Sequence, residues 1–128
     1  MEWAGPHFIK RNAVGYCGAS HPDCTPEQAI SKGLAYAAAE IRNHAPVRID
    51  DETTLIGAEA EGTRVTYFIR LNYQMENVPD WKSFAKTHAR ETACNNDGLR
   101  KIVGYGGHLT YAFSDVTGRT ASVSVSEC

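Results

Sequence analysis

The sequence predicts an α+β domain: a four-stranded antiparallel sheet of two hairpins packed on a long N-terminal helix, with a second helix pair between the hairpins. Three observations carry this expectation. An apolar stripe at Ile30, Leu34, Ala37 and Ile41 recurs at spacings of four, three and four, the period of a helix with one buried face. Two later stretches alternate instead with period two, each broken by a glycine-bearing turn, as hairpin strands do. No strand-helix-strand rhythm repeats along the chain, so an antiparallel sheet is expected rather than a parallel one. With 128 residues the chain is long enough for one core, expected over residues 25–128.

Residues 1–24 show no sustained period and are read as an extended arm. Thr25-Pro26-Glu27-Gln28 is a helix start, with Thr25 as N-cap, Pro26 at the first helical position and Gln28 completing a capping box. The helix should run to about Asn43 before Pro46, with a small face at Ala35, Ala38 and Ala39 suited to close approach to a sheet. Asp50-Asp51-Glu52 is read as a solvated acidic turn, because a calcium loop spaces its ligands instead of stringing three together. Strands follow at Thr53–Ala60 and Thr63–Leu71 around Glu61-Gly62. In the second, Val65, Tyr67, Ile69 and Leu71 face one way, and Arg64, Thr66, Phe68 and Arg70 the other.

Pro79-Asp80 opens the next helix with Asp80 as N-cap and Trp81, Phe84, Ala85 and His88 on its inner side. Asn95-Asn96-Asp97-Gly98 interrupts it. A short helical turn through Leu99, Ile102 and Val103 then ends at Gly104, Gly106 and Gly107, which tolerate positive φ. In the last hairpin Leu109, Tyr111 and Phe113 alternate with polar or small residues. Asp115-Val116-Thr117-Gly118 turns the chain, and Ala121, Val123 and Val125 alternate with an outward row of serines at 122, 124 and 126.

Composition narrows the function classes. Charged residues make up 22% and hydrophobic ones 42%, too apolar for a disordered chain. Thirteen Lys+Arg against 15 Asp+Glu leave a net charge of -2, no basic excess for phosphates, so nucleic acid is not an expected partner. No apolar run reaches the ~18–20 residues of a membrane span.

Four cysteines, at 17, 24, 94 and 128, allow three pairings. Cys17 and Cys24 enclose a run of turn formers and are paired; Cys94 is then joined to Cys128, stapling the last strand to the end of the second helix. Disulfides require an oxidising compartment, so the chain is expected to be periplasmic or secreted, its export signal or anchor removed. The competing reading, zinc on Cys17, His21 and Cys24, lacks a second ligand pair, and no metal or other cofactor is expected.

Signals for catalysis are weak. His88 and Cys94 lie almost two helical turns apart, too far for a nucleophile pair. Gly104-Tyr105-Gly106-Gly107 precedes a strand, not a helix, and is not followed by Lys-Ser/Thr, so it is no phosphate loop. No G-x-S-x-G, H-E-x-x-H or Walker pattern occurs.

The run Pro46-Val47-Arg48-Ile49-Asp50-Asp51-Glu52-Thr53-Thr54-Leu55, the tyrosine-bearing strand ending at Leu71, and then Cys94, Gly104, Tyr111, Asp115, Gly118 and Cys128 resemble small exported bacterial proteins of poorly defined function. Over roughly residues 40–128 the arrangement is similar to cystatin-like and secretion-pilotin-like domains. That resemblance implies a helix on an antiparallel sheet and action by binding other proteins, and it brings no catalytic residue. The expectation is a non-enzymatic, extracytoplasmic bacterial accessory protein with a protein partner, binding through a sheet face or strand edge. The candidate residues are Arg64, Phe68 and Arg70, with Tyr105 and His108 beside the glycine loop. The alternative is a small enzyme or ligand-binding fold with a pocket between helix and sheet, gated by Tyr105 and His108.

Overall fold

The computed structural model describes residues 26–128. The expected arm, the Cys17–Cys24 pairing, the weighed Cys17/His21/Cys24 ligand set and the Thr25 cap lie outside the described residues. The described elements run α1 (Pro26–His44), β1 (Val47–Asp50), β2 (Thr53–Glu61), β3 (Arg64–Leu71), a short 3-10 turn (Met75–Asn77), α2 (Trp81–Cys94), α3 (Asp97–Gly104), β4 (His108–Ser114) and β5 (Thr120–Val125).

The class is α+β, as expected, but the sheet has five strands in the order β1-β2-β3-β4-β5 and is mixed, not four-stranded and antiparallel. Two features account for the difference. Val47–Asp50, to which the sequence reading assigned no strand, pairs antiparallel with β2, Val47 opposite Leu55 and Arg48 opposite Thr54. Asp51 and Glu52 form the turn of this extra hairpin, where Asp50 Oδ1 accepts the Glu52 N–H at 2.8 Å. The second feature is that β3 and β4 run parallel, Val65 beside Leu109 and Tyr67 beside Tyr111. Parallel neighbours need a crossover of a dozen or more residues. The stretch from 72 to 107 supplies it with α2 and α3. A single crossover leaves no repeating rhythm to detect.

The three described α-helices cover one face. The stripe Ile30, Leu34, Ala37, Ala38 and Ile41 on α1 is buried, and packs over β2 and β3. Each fully buried Ile or Leu contributes about 1.5–3 kcal/mol relative to leaving it in water. Of the expected small face, Ala38 is buried while Ala35 is exposed, so contact with the sheet runs along the apolar stripe instead. α2 buries Trp81, Ala85, Ala89 and Ala93; Phe84, expected inside, is 48% exposed. The four-residue step from Trp81 keeps one alanine per turn against β5, and Phe84 falls three residues round the other flank. Asp80 sits before α2 with φ 52° and makes no side-chain cap, whereas Asn96 Oδ1 accepts the Leu99 N–H at 3.0 Å and starts α3.

The inner face of the sheet carries Leu55, Ala58, Val65, Tyr67, Ile69, Leu109, Tyr111, Phe113, Val123 and Val125. Tyr67 and Tyr111, neighbours across the parallel pair, stack with ring centroids 5.4 Å apart, and burial pushes both phenols above their ordinary range. Trp81 meets Phe113 edge-on at 5.1 Å, and its indole N–H donates to the Tyr73 hydroxyl at 2.8 Å.

Cys94, the last residue of α2, is bonded to Cys128, with Cα atoms 5.7 Å apart. The β4–β5 turn is held by the buried Asp115. Its carboxylate accepts the Thr117 hydroxyl at 2.6 Å and the N–H groups of Thr117 at 2.8 Å, Met75 at 3.0 Å and Arg119 at 3.1 Å. Led by the Thr117 hydroxyl, these donors hold the carboxyl down at about 2. A carboxylate depressed in the folded state stabilises fully above its unfolded value of about 3.9, and this stabilisation is lost as pH falls toward the folded value. Asp115→Asn should therefore lower the denaturation midpoint at neutral pH, and the gap to the parent protein should close as pH falls from about 4 to 2. Urea titrations across that range measure it; a gap independent of pH would refute the assignment.

Candidate functional site

With every helix on one side, the opposite face of the sheet is left without a helix among the described residues. Alternation along each strand delivers its members. Because Val65, Tyr67, Ile69 and Leu71 point inward, Arg64, Thr66, Phe68 and Arg70 point outward. The pairing then sets four rows across the sheet. Glu61, Arg64 and His108 form the first; Glu59, Thr66, Thr110 and Ser124 the second. Gly57, Phe68, Ala112 and Ser122 form the third, and Arg48, Thr54, Arg70, Ser114 and Thr120 the fourth.

Phe68 is the only large apolar side chain in its row, flanked on both sides by small residues. A Cβ placed on Gly57 would lie 3.8 Å from Phe68 Cδ2, so the ring borders Gly57 in van der Waals contact. The result is a flat aromatic patch with a guanidinium on either side along β3. At about 3.3 Å per residue, Arg70 lies about 7 Å and Arg64 about 13 Å from Phe68 along the strand. Neither arginine forms an ion pair or side-chain hydrogen bond with another described residue. Arg48, in the Arg70 row, is tied to Asp51 at 2.8 Å. Thr110 and Ser124 share a hydroxyl hydrogen bond at 3.1 Å in the second row.

Four of the five residues singled out from the sequence, Arg64, Phe68, Arg70 and His108, therefore lie on one face. Tyr105 does not join them. It is the C-cap of α3 and 53% exposed, on a helix that packs against the opposite face. Among the described residues Tyr105 and His108 form no gate over a helix-sheet pocket, because the interval between the described helices and the sheet is filled. Tyr67, Tyr111, Phe113, Leu34 and Ile41 are among the side chains fully buried there.

A polar hollow of about 300 Å³ opens instead at the β2–β3 hairpin, lined by Arg42, Glu59, Ala60, Glu61, Arg64 and Thr66. It borders the part of β2 beyond the reach of β1. There Arg42 Nη1 donates to the otherwise unpaired Ala58 carbonyl at 2.9 Å. Sequence reading missed Arg42 and Glu59, and no spacing rule could have found them. They come from a helix and a strand that meet only in the folded chain.

The fold is shared with solved structures. A protein of Pseudomonas aeruginosa inferred to be secreted matches with a TM-score of 0.65 at 22% identity, over 77% of this chain and 90% of its own. The pilotin EpsS of the Vibrio vulnificus type 2 secretion system matches with a TM-score of 0.62 at 9% identity, over 74% of this chain and 84% of its own. The type II secretion system pilotin AspS from Vibrio cholerae gives 0.61 at 14% identity, over 79% and 92%. No protein-family model and no curated sequence matches the chain. The secretion-pilotin-like arrangement expected from the sequence is the arrangement of this chain.

Proposed function

We propose that this chain is a non-enzymatic, extracytoplasmic bacterial accessory protein that works by holding a protein partner against the outer face of its sheet. The observation that carries the reading is the flat patch of Phe68 between Arg64 and Arg70, three residues presented together, the two arginines without an ion pair or side-chain hydrogen bond to another described residue. An aromatic anchor flanked by guanidinium groups is the composition that concentrates binding energy in protein interfaces. His108, beside Arg64, extends the patch. Two further observations support the compartment and the role. The Cys94–Cys128 bond belongs to oxidising surroundings, and the fold is one that two secretion-system pilotins use. Among the described residues no helix is long and apolar enough to cross a membrane.

The test is capture from the source cell's envelope fraction on immobilised protein, comparing the parent with Arg64→Glu/Arg70→Glu. Both positions are exposed, so the variant should unfold within about 0.5 kcal/mol of the parent. A partner held by this face should be lost at least about tenfold, as removal of interface anchors costs ~2 kcal/mol or more each. Equal recovery by both proteins would rule the face out.

A further inference from the structure

The edges of the sheet are not equally defended. β1 closes one edge with four residues, an arginine and a bulge between Arg48 and Asp50, and Arg42 occupies the Ala58 carbonyl beyond it. Charges and bulges of this kind keep an edge from accepting foreign strands. β5 closes the other edge with Thr-Ala-Ser-Val-Ser-Val, regular throughout, without a charge, a proline or a bulge. Its free groups can be identified. Asp115 N–H donates to the Arg119 carbonyl at 3.0 Å, which fixes the phase of the antiparallel ladder. Ala121, Val123 and Val125 therefore bond to β4, while the N–H and C=O groups of Thr120, Ser122 and Ser124 point off the sheet.

A row of cations stands over that edge. α2 packs on β5, and Trp81 on one flank of its buried stripe reaches inward to Phe113 of β4. At 3.6 residues per turn, Lys82, Lys86 and Arg90 stand on the opposite flank, beyond β5. The Arg90 Nη2 bond to the Cys128 carbonyl at 3.2 Å places that flank on the side where the chain leaves β5. All three are exposed; Lys82 and Lys86 form no ion pair or side-chain hydrogen bond with a described residue, Arg90 is engaged by Cys128, and Asp80 and Glu91, the nearest acids in sequence, bridge to none of the three. Four helical residues rise about 6 Å, and alternate residues of a strand lie about 6.8 Å apart. The cation row and a strand added to β5 thus have nearly the same repeat.

We propose that the open edge of β5 and the Lys82–Lys86–Arg90 row of α2 form a binding site for an extended acidic peptide segment, which adds as a sixth strand with carboxylates at alternate positions beneath the cations. Main-chain bonds to Thr120, Ser122 and Ser124 give the strand its register, and the charges select it. A second copy of the chain does not fit. Two β5 edges paired about a two-fold axis would bring their cation rows face to face. The first 25 residues of the chain do not fit either, since their acids are Glu2 and Asp23 alone. The site goes beyond the outer-face reading and uses none of Arg64, Phe68, Arg70 and His108.

Fluorescence anisotropy with a fluorescein-labelled peptide of about nine residues, glutamate alternating with threonine, tests it. The parent protein should bind this peptide. Methylating every main-chain nitrogen of the peptide should weaken binding at least about tenfold, since each hydrogen bond lost is worth up to about tenfold. Lys82→Glu/Lys86→Glu should weaken it as much, and Ser122→Pro should too, because that N–H faces solvent and leaves the β4 ladder intact. Arg64→Glu/Arg70→Glu should leave it unchanged. No binding, equal binding of the methylated peptide, or a concentration-dependent dimer that Ser122→Pro disperses would each overturn the proposal. The methylated peptide separates these outcomes even if the proline variant does not fold.

Discussion

Replacing Cys128 with serine should lower the unfolding free energy by about 2–4 kcal/mol, the range for releasing a disulfide loop of this size. The bond joins residues 34 apart, the end of α2 to the end of the chain. Without it the unfolded chain regains the freedom of that loop, and the last strand is left to its ladder to β4, the Thr110–Ser124 hydroxyl bond, the Arg90–Cys128 bond and the contacts of Ala121, Val123 and Val125 with the core. Cys94→Ser should cost the same, and the double variant no more than either single, because all three lose one shared bond. Guanidinium unfolding under non-reducing conditions reads all three. Additive losses, or a loss below about 0.5 kcal/mol, would mean that the staple contributes little in solution.

Gly107→Ala should be comparably damaging, at about 3 kcal/mol or more. Gly107 ends the turn that follows α3. Its N–H reaches the Ile102 carbonyl at 2.8 Å while the Gly106 N–H reaches Val103 at 3.1 Å, a Schellman closure with Gly106 at φ 94°. A Cβ on Gly107 would lie 2.4 Å from Ile102 Cγ2 and 2.7 Å from the Ile102 carbonyl oxygen. Ile102 is buried in the core and its carbonyl is part of the turn, so neither can move without opening the closure. The neighbours act as controls. Gly106→Ala should cost about 1–2 kcal/mol for its left-handed backbone, and Gly104→Ala, with no atom near its added Cβ, should be neutral or gain up to about 1 kcal/mol. Three equal values from thermal unfolding would refute this account of the turn.

That glycine run shows what the sequence could and could not say. Three glycines near a helix end predict a positive φ, yet only Gly106 adopts one; the need at Gly107 is space, which depends on where Ile102 packs. The strand alternation was fully legible. Arg64, Phe68 and Arg70 could be assigned to the face opposite Val65 and Tyr67 because period two is a property of the strand itself. Which strand lies beside β3 was not, since parallel pairing with β4 is decided by the path of α2 and α3, far along the chain. β1 escaped because four residues beginning with Val47 are too short to show a period. Arg42 and Glu59, like the cations over β5, acquire their setting only when helices settle on particular strands.

The most direct test of the protein-binding reading places a photo-crosslinking amino acid at Phe68 in the source cell and, as controls, at the exposed Tyr36 and Val116. Tyr36 lies on the helix that covers the other face, and Val116 in the β4–β5 turn. If the outer face holds a partner, irradiation should give one discrete adduct from position 68, diminished by Arg64→Glu/Arg70→Glu and absent from both controls. No adduct at 68, or the same adduct from all three positions, would contradict the account.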